Sequence, residues 1–196
     1  MINPNKFHNK MQRAEAKMKQ RGDICIMKER RVADDITDAL FDLLKTKNLA
    51  DISTTEIIKK AGVCRSSFYR NFYLPEDVIR QYGAAIFEEI TRLTPIAYEG
   101  MREHLEIVNT YYLTQRERLG LLEKRELFYL LEAPFMEHCI RQIRQLDMWN
   151  NRYQAAFYTG ASIHLIRAWI RNGFEESPGE IADLICEMVK WEPLES

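Results

Sequence analysis

Nowhere in its 196 residues does the chain hold an apolar run of the length a membrane-crossing helix needs, about 20 residues. An export signal is missing too, because Lys6, Lys10, Arg13, Lys17 and Lys19 break up any apolar core near the N-terminus. A cytoplasmic protein without a membrane partner is the expectation. Cysteine is scarce: Cys25, Cys64, Cys139 and Cys186 stand far apart with no C-x-x-C pair, which speaks against structural zinc and against a disulfide framework. There is no H-E-x-x-H pair, no G-x-S-x-G and no glycine-rich phosphate loop, and His8, His104, His138 and His164 are dispersed. No catalytic residue, metal or cofactor is expected. Alternating strand patterns are almost missing as well.

What is present is charge, unevenly placed, and helical periodicity. The net charge is -1, yet residues 1–80 hold 16 Lys and Arg against 11 Asp and Glu, while residues 81–196 hold 12 against 18. A positive N-terminal part attracts a polyanion and an acidic remainder is repelled by it. At 46% hydrophobic the chain can bury a substantial core. Between Glu29 and Leu49, Val32, Ile36, Ala39, Leu40, Leu43 and Leu44 recur at spacings of three and four and predict a first helix with one buried stripe.

Ser53-Thr54-Thr55-Glu56 reads as a capping box opening a short second helix, with Ile57, Ile58 and Ala61 on its inner face. Gly62 follows where a sharp turn requires positive φ. A third short helix from about Arg65 to Asn71 keeps Phe68 and Phe72 inside, and Pro75 opens a fourth that runs to about Arg92. Two short helices around a glycine turn on a longer first helix form the helix-turn-helix pattern, whose second helix suits the DNA major groove. Its outer face would offer Arg65, Ser66, Ser67, Tyr69, Arg70 and Asn71, and the free amides beside Thr54 and Thr55 would anchor a phosphate. A three-helix bundle with a merely polar face fits the same pattern.

The particular residues go further. Ile36-Thr37-Asp38-Ala39-Leu40-Phe41, the stretch Thr54 to Val63, and Ser67-Phe68-Tyr69-Arg70-Asn71-Phe72 together resemble the DNA-binding domain of the tetracycline-repressor (TetR) family over roughly Arg30 to Glu89. The resemblance implies an all-α fold: a three-helix DNA-binding domain, then a C-terminal helical bundle that dimerises and binds small ligands. It implies that Thr54 and Thr55 hold phosphates, that Tyr69 touches the DNA backbone, and that Arg65, Ser66, Ser67 and Asn71 face bases. Two positions depart from the family. Pro75 stands where a phosphate-holding lysine is usual, and Cys64 where a serine often caps the third helix. A thiol near a helix N-terminus can be acidic, so Cys64 is either redox-sensitive or simply a small apolar residue.

The expected domains are a basic N-terminal extension (1–28), the helix-turn-helix domain (29–89) and a C-terminal sensing and dimerisation domain (90–196). The extension, with Phe7, Met11, Ala14 and Met18 at helical spacing among basic residues, reads as a DNA-contacting arm or as a frayed tail. Further helices are expected over Tyr98–Leu113, Arg116–Gln145 with a break at Ala133-Pro134, Asp147–Arg171 and Pro178–Trp191.

The penultimate helix is apolar on two faces, which suggests a dimer interface through Tyr153, Ala156, Gly160 and Ile163 together with Ile181, Leu184, Ile185 and Met188 of the last helix; core packing within one protomer is the alternative. The segment from Tyr158 to Met188, including Trp169 to Gly173 and Glu176-Ser177-Pro178, resembles the C-terminal region of a group of TetR-like regulators, some related to dihydroxyacetone kinase control. Tyr98, Met101, His104, Tyr112, Phe128, Phe135 and His138 are the candidate ligand-pocket residues, and the same list describes an ordinary core. The expected function is a sequence-specific transcriptional regulator, a homodimeric repressor released from a palindromic double-stranded DNA operator by a small-molecule effector. The alternative is a DNA-binding adaptor or activator whose C-terminal domain docks a protein partner.

Overall fold

A computed structural model describes residues 31–94, 100–146 and 152–188. Among the described residues there are nine α-helices and no strand, as the periodicity predicts. They are α1 (31–44), α2 (Thr54–Ala61), α3 (Arg65–Asn71), α4 (Pro75–Leu93), α5 (Met101–Thr114), α6 (Arg116–Lys124), α7 (Glu132–Leu146), α8 (Arg152–Arg171) and α9 (Pro178–Met188). Short 3-10 turns occupy Leu49–Asp51 and Phe128–Leu131. The basic N-terminal extension lies outside the described residues.

The stripe on α1 is buried as its spacing requires: Ile36, Ala39, Leu40 and Leu44 face inward, and Phe41 meets Tyr82 of α4 edge to face at 4.9 Å between ring centres. Phe68 and Phe72 close this small core from α3, and Val78 and Ile79 from the first turns of α4. The same helix then continues into the C-terminal body, where Ile86, Phe87 and Ile90 are buried. At 19 residues it spans about 28 Å, so one uninterrupted rod carries the small N-terminal unit on the larger one. In the body, α9 packs mainly on α5, while α8 packs on α6 and α7.

Several element boundaries differ from expectation. The first helix stops at residue 44, and Leu49 belongs to a separate turn, because Asn48 is extended at φ -80°, ψ 154°. The expected break at Ala133-Pro134 is found earlier, between Lys124 and Glu132, where Glu126 takes a positive φ of 58°. Pro134 instead sits in the first turn of α7, where a missing N–H costs no hydrogen bond. The last helix is described to Met188 only.

Candidate nucleic-acid interface

The turn between α2 and α3 is built locally. Ser53 caps α2: its hydroxyl accepts from the Glu56 N–H at 3.2 Å, and the Glu56 carboxylate accepts from the Ser53 N–H at 3.0 Å. Lys47 also binds Glu56, and with the Ser53 donors it holds that carboxyl down at about 2. At the other end Gly62 is left-handed, φ 66°, and its N–H closes onto the carbonyls of Ile58 and Lys59. A side chain would be strained there, which is why glycine ends this helix.

Phe68 anchors α3 with 0% exposure, and at 100° per residue the positions opposite it must face outward. Arg65, Ser66, Tyr69 and Arg70 are exposed, and the Arg65 guanidinium lies 5.9 Å from the Tyr69 ring centre. Ser67 and Asn71 sit one turn apart on the flank, half-buried, and the Asn71 amide donates to the Ser67 carbonyl at 2.8 Å. Thr55 is exposed and Thr54 half-buried in the first turn of α2.

The Cys64 thiol neither caps α3 nor is hidden. Its sulfur lies 3.2 Å from the Ser66 hydroxyl and 3.0 Å from that of Ser67, and these contacts lower its pKa from 9.0 to about 7. Sequence reasoning passed over Tyr73, which is 80% exposed at the end of this surface, beside exposed Leu74. The start of α4, where Pro75 replaces the family's lysine, is closed in a way the sequence did not signal: the Asp77 carboxylate accepts from the N–H groups of Tyr73 and Leu74 at 3.1 and 2.9 Å. With those amides taken and Pro75 lacking one, this helix start is poorly equipped to hold a phosphate.

The candidate ligand residues divide. Tyr112, Phe128 and Phe135 come together around an apolar cavity of about 20 Å3, shared with Ile86, Phe87, Leu119, Leu131, Ile163 and Ile166. Met101 is exposed, His104 is half-buried on α5, and His138 stacks on the Phe87 ring at 5.2 Å, lining an outer groove between α4 and α7. Tyr98 lies outside the described residues.

The candidate interface residues divide as well. Tyr153 is 67% exposed, Met188 is 71% exposed, and Ala156 and Leu184 are also exposed, while Gly160 and Ile185 are intermediate. Ile163 and Ile181 are core residues of the protomer instead, because the inner stripe of α8 runs through Thr159, Ile163, Ile166 and Ile170. The outer stripe carries Phe157, 70% exposed, which the sequence pattern did not single out.

Comparison with known proteins bears on this arrangement. Residues 124–190 match TetR_C_8, a transcriptional regulator C-terminal region. No curated protein sequence matches the chain. Among solved structures, a TetR transcriptional regulator from Streptococcus agalactiae superposes with a TM-score of 0.60 at 13% identity, over 87% of this chain and 99% of that one. The dihydroxyacetone kinase operon activator DhaS follows at 0.58 and 16%, over 80% and 93%. The fatty acid degradation regulator FadR from Bacillus halodurans gives 0.56 and 13%, over 84% and 97%. At such identities the likeness is one of fold. The resemblance carried by the helix-turn-helix residues is thus joined by a TetR-family match over residues 124–190 and by a fold shared with a TetR transcriptional regulator over 87% of the chain.

Proposed function

We propose that this protein is a sequence-specific DNA-binding transcriptional regulator acting in the cytoplasm as a homodimer. The observation that carries the reading is the division of α3, with Phe68 buried under the helix, Ser66 and Arg70 exposed opposite it, and Arg65 and Tyr69 exposed at its side. Arginine at such a position reads guanine bidentately, and Tyr69, Thr54 and Thr55 are suited to phosphates. Ser67 and Asn71 would act from the flank. Residues 29–89 form the DNA-binding unit, 90–196 the sensing and dimerising unit, and α4 belongs to both; residues 1–28 would add an arm. No described helix is long and apolar enough to cross a membrane.

Dimerisation would use the exposed stripe of α8 and α9, with Tyr153, Phe157, Leu184 and Met188 covered by a second copy. A two-fold dimer presents two recognition helices and so favours a palindromic operator with half-sites about 34 Å apart. A small effector entering the cavity beside Tyr112, Phe128 and Phe135 would part the helices around it and move α4, changing the separation of the two reading units. Release of a repressor is the regulation we favour, and activation is open to the same fold, since DhaS is named an operon activator. The cavity has room for about one water as it stands, which favours a second reading: a C-terminal domain that docks a protein partner.

Genome-wide recovery of bound DNA tests the main reading. The protein should retain a defined fragment that Arg65→Ala and Arg70→Ala together abolish, and recovery of random DNA would overturn it. Sedimentation should give about twice the 23.2 kDa chain mass. A Cβ on half-buried Gly160 meets no described atom within 4 Å, so the backbone admits a side chain there, and Gly160→Arg should yield monomers whose fold is checked by circular dichroism.

A further inference from the structure

The small N-terminal unit is attached to the body at a second place besides α4. Arg118 and Arg125 stand seven residues apart, two turns, and so project from the same side of α6 and its C-terminal end, about 10 Å apart along the axis. The Arg118 guanidinium pairs with the Asp38 carboxylate of α1 and lies 5.0 and 5.5 Å from the ring centres of Phe41 and Tyr82. Arg125 does more. Its Nε donates to the Leu44 carbonyl at 2.8 Å, one terminal nitrogen to the Lys45 carbonyl at 3.0 Å, and the other to Asn48 Oδ1 at 3.0 Å. The last carbonyls of a helix have no partners of their own, and a guanidinium there satisfies both their lone pairs and the negative end of the helix dipole. A residue some 80 positions away in the body therefore caps α1.

A unit carried on one helix follows every bend and twist of that helix, whereas a second attachment off the helix axis removes the swing. We propose that Arg118 and Arg125 are positioning residues that fix the orientation of the α1–α3 unit on the body, and with it the direction in which α3 faces. This rests on α3 being the DNA-reading element. It goes beyond a lever in α4, because α4 sets how far apart two reading units lie while the α6 clamp sets how each is turned. The clamp also adjoins the cavity, since Leu119, next to Arg118, is one of its walls.

The test uses the full chain with Cys25, Cys64, Cys139 and Cys186 replaced by serine and spin labels at Ala50→Cys and Asn172→Cys, both exposed. Labelled protein is diluted with unlabelled protein, so that only distances within a protomer are read. The parent should give one narrow distance distribution, and Arg118→Gln with Arg125→Ala should broaden it at unchanged helical content. On the DNA fragment recovered with the wild type, the same pair should weaken specific binding by about tenfold, the size of one mismatched base pair, and leave binding to scrambled DNA unchanged. Arg125→Lys should restore little, because an ammonium does not span three acceptors held by a planar fork. If the double variant fails to fold, Arg118→Gln and Arg125→Lys are read singly by the same measures. An unchanged distribution overturns the proposal even if no specific DNA is ever recovered, which separates its failure from that of the DNA-binding reading. A fall in melting temperature with unchanged distribution and unchanged specific affinity overturns it too, by making the clamp merely stabilising.

Discussion

Gly83 of α4 and Leu131 of the second 3-10 turn approach so closely that a Cβ on the glycine would lie 2.8 Å from Leu131 Cδ2. Pro134 Cγ would be 3.6 Å away on the same side, so α4 rests against the body here with backbone rather than side chain. Leu131 is buried and has little room to turn aside. Gly83→Ala gains about 1 kcal/mol of helix propensity and loses a similar amount in displacing Leu131, for a net effect near zero. Gly83→Val adds bulk without that gain and should cost about 1–3 kcal/mol. Thermal unfolding followed by circular dichroism checks both, and a valine variant as stable as the parent would show that the contact is slack.

Arg65 is exposed beside the Tyr69 ring, whereas the Asn71 amide is held by a backbone carbonyl. Arg65→Ala should cost about 1–3 kcal/mol on the recovered operator and relax preference at one base pair, with folding unaffected. Asn71→Ala should also lower stability by about 1 kcal/mol, because its amide donates to the Ser67 carbonyl. Fluorescence anisotropy on operator and scrambled DNA decides the first point. An equal fall on both would make Arg65 a phosphate contact instead.

The cysteines should differ sharply toward an alkylating reagent. Hydrogen bonds from Ser66 and Ser67 bring the exposed Cys64 thiol to about 7, whereas burial pushes Cys139 up to about 12. The thiolate is the reactive form. In a Cys25→Ser background at pH 7.5, iodoacetamide followed by peptide mass mapping should modify Cys64 first. Ser66→Ala with Ser67→Ala should slow that reaction, and bound operator should block it. Preferential labelling of Cys139 would contradict the description of both sites.

How much of this was legible in the sequence depends on distance along the chain. The Ser53–Glu56 capping box, the left-handed Gly62 and the inward Phe68 and Phe72 are set by neighbours within four residues, and all were read correctly. The apolar pattern assigns Ile163 and Ile181 to an interface, yet both lie in the core, since a helix with apolar residues on two sides does not say which side the body covers. Pro134 marked a break that its first-turn position makes unnecessary. The Arg125 clamp had no local signal at all, because a surface-type residue after α6 reveals nothing about carbonyls some 80 residues earlier. The cavity had only composition to announce it: of the described candidates Tyr112, Phe128 and Phe135 line it, while Met101, His104 and His138 do not.

Acid should destabilise the protein partly through His138. Its ring stacks on Phe87 of α4 at 5.2 Å, and its Nδ1 lies 3.4 Å from the Thr91 hydroxyl. Glu137 and Arg141 of its own helix and Asp77, Arg80 and Glu88 of α4 surround the groove it lines, while His104 acts on it from α5. Burial first, and then Arg141 and His104, push its pKa from 6.5 down to about 4. Between those values the unfolded chain carries a proton on this ring that the folded chain does not, so stability rises with pH across the window. The contribution is intact above about 6.5, is lost progressively as the pH falls toward about 4, and burial of His104 acts in the same direction. His138→Gln removes the titration while keeping a polar side chain of similar reach. In urea unfolding at a series of pH values from 7 to 4.5, the variant's midpoint should fall less steeply than the parent's. The carboxylates of both proteins titrate alike, so the difference in slope isolates the imidazole, and parallel curves would show that His138 takes up its proton as readily in the folded protein as in the unfolded chain.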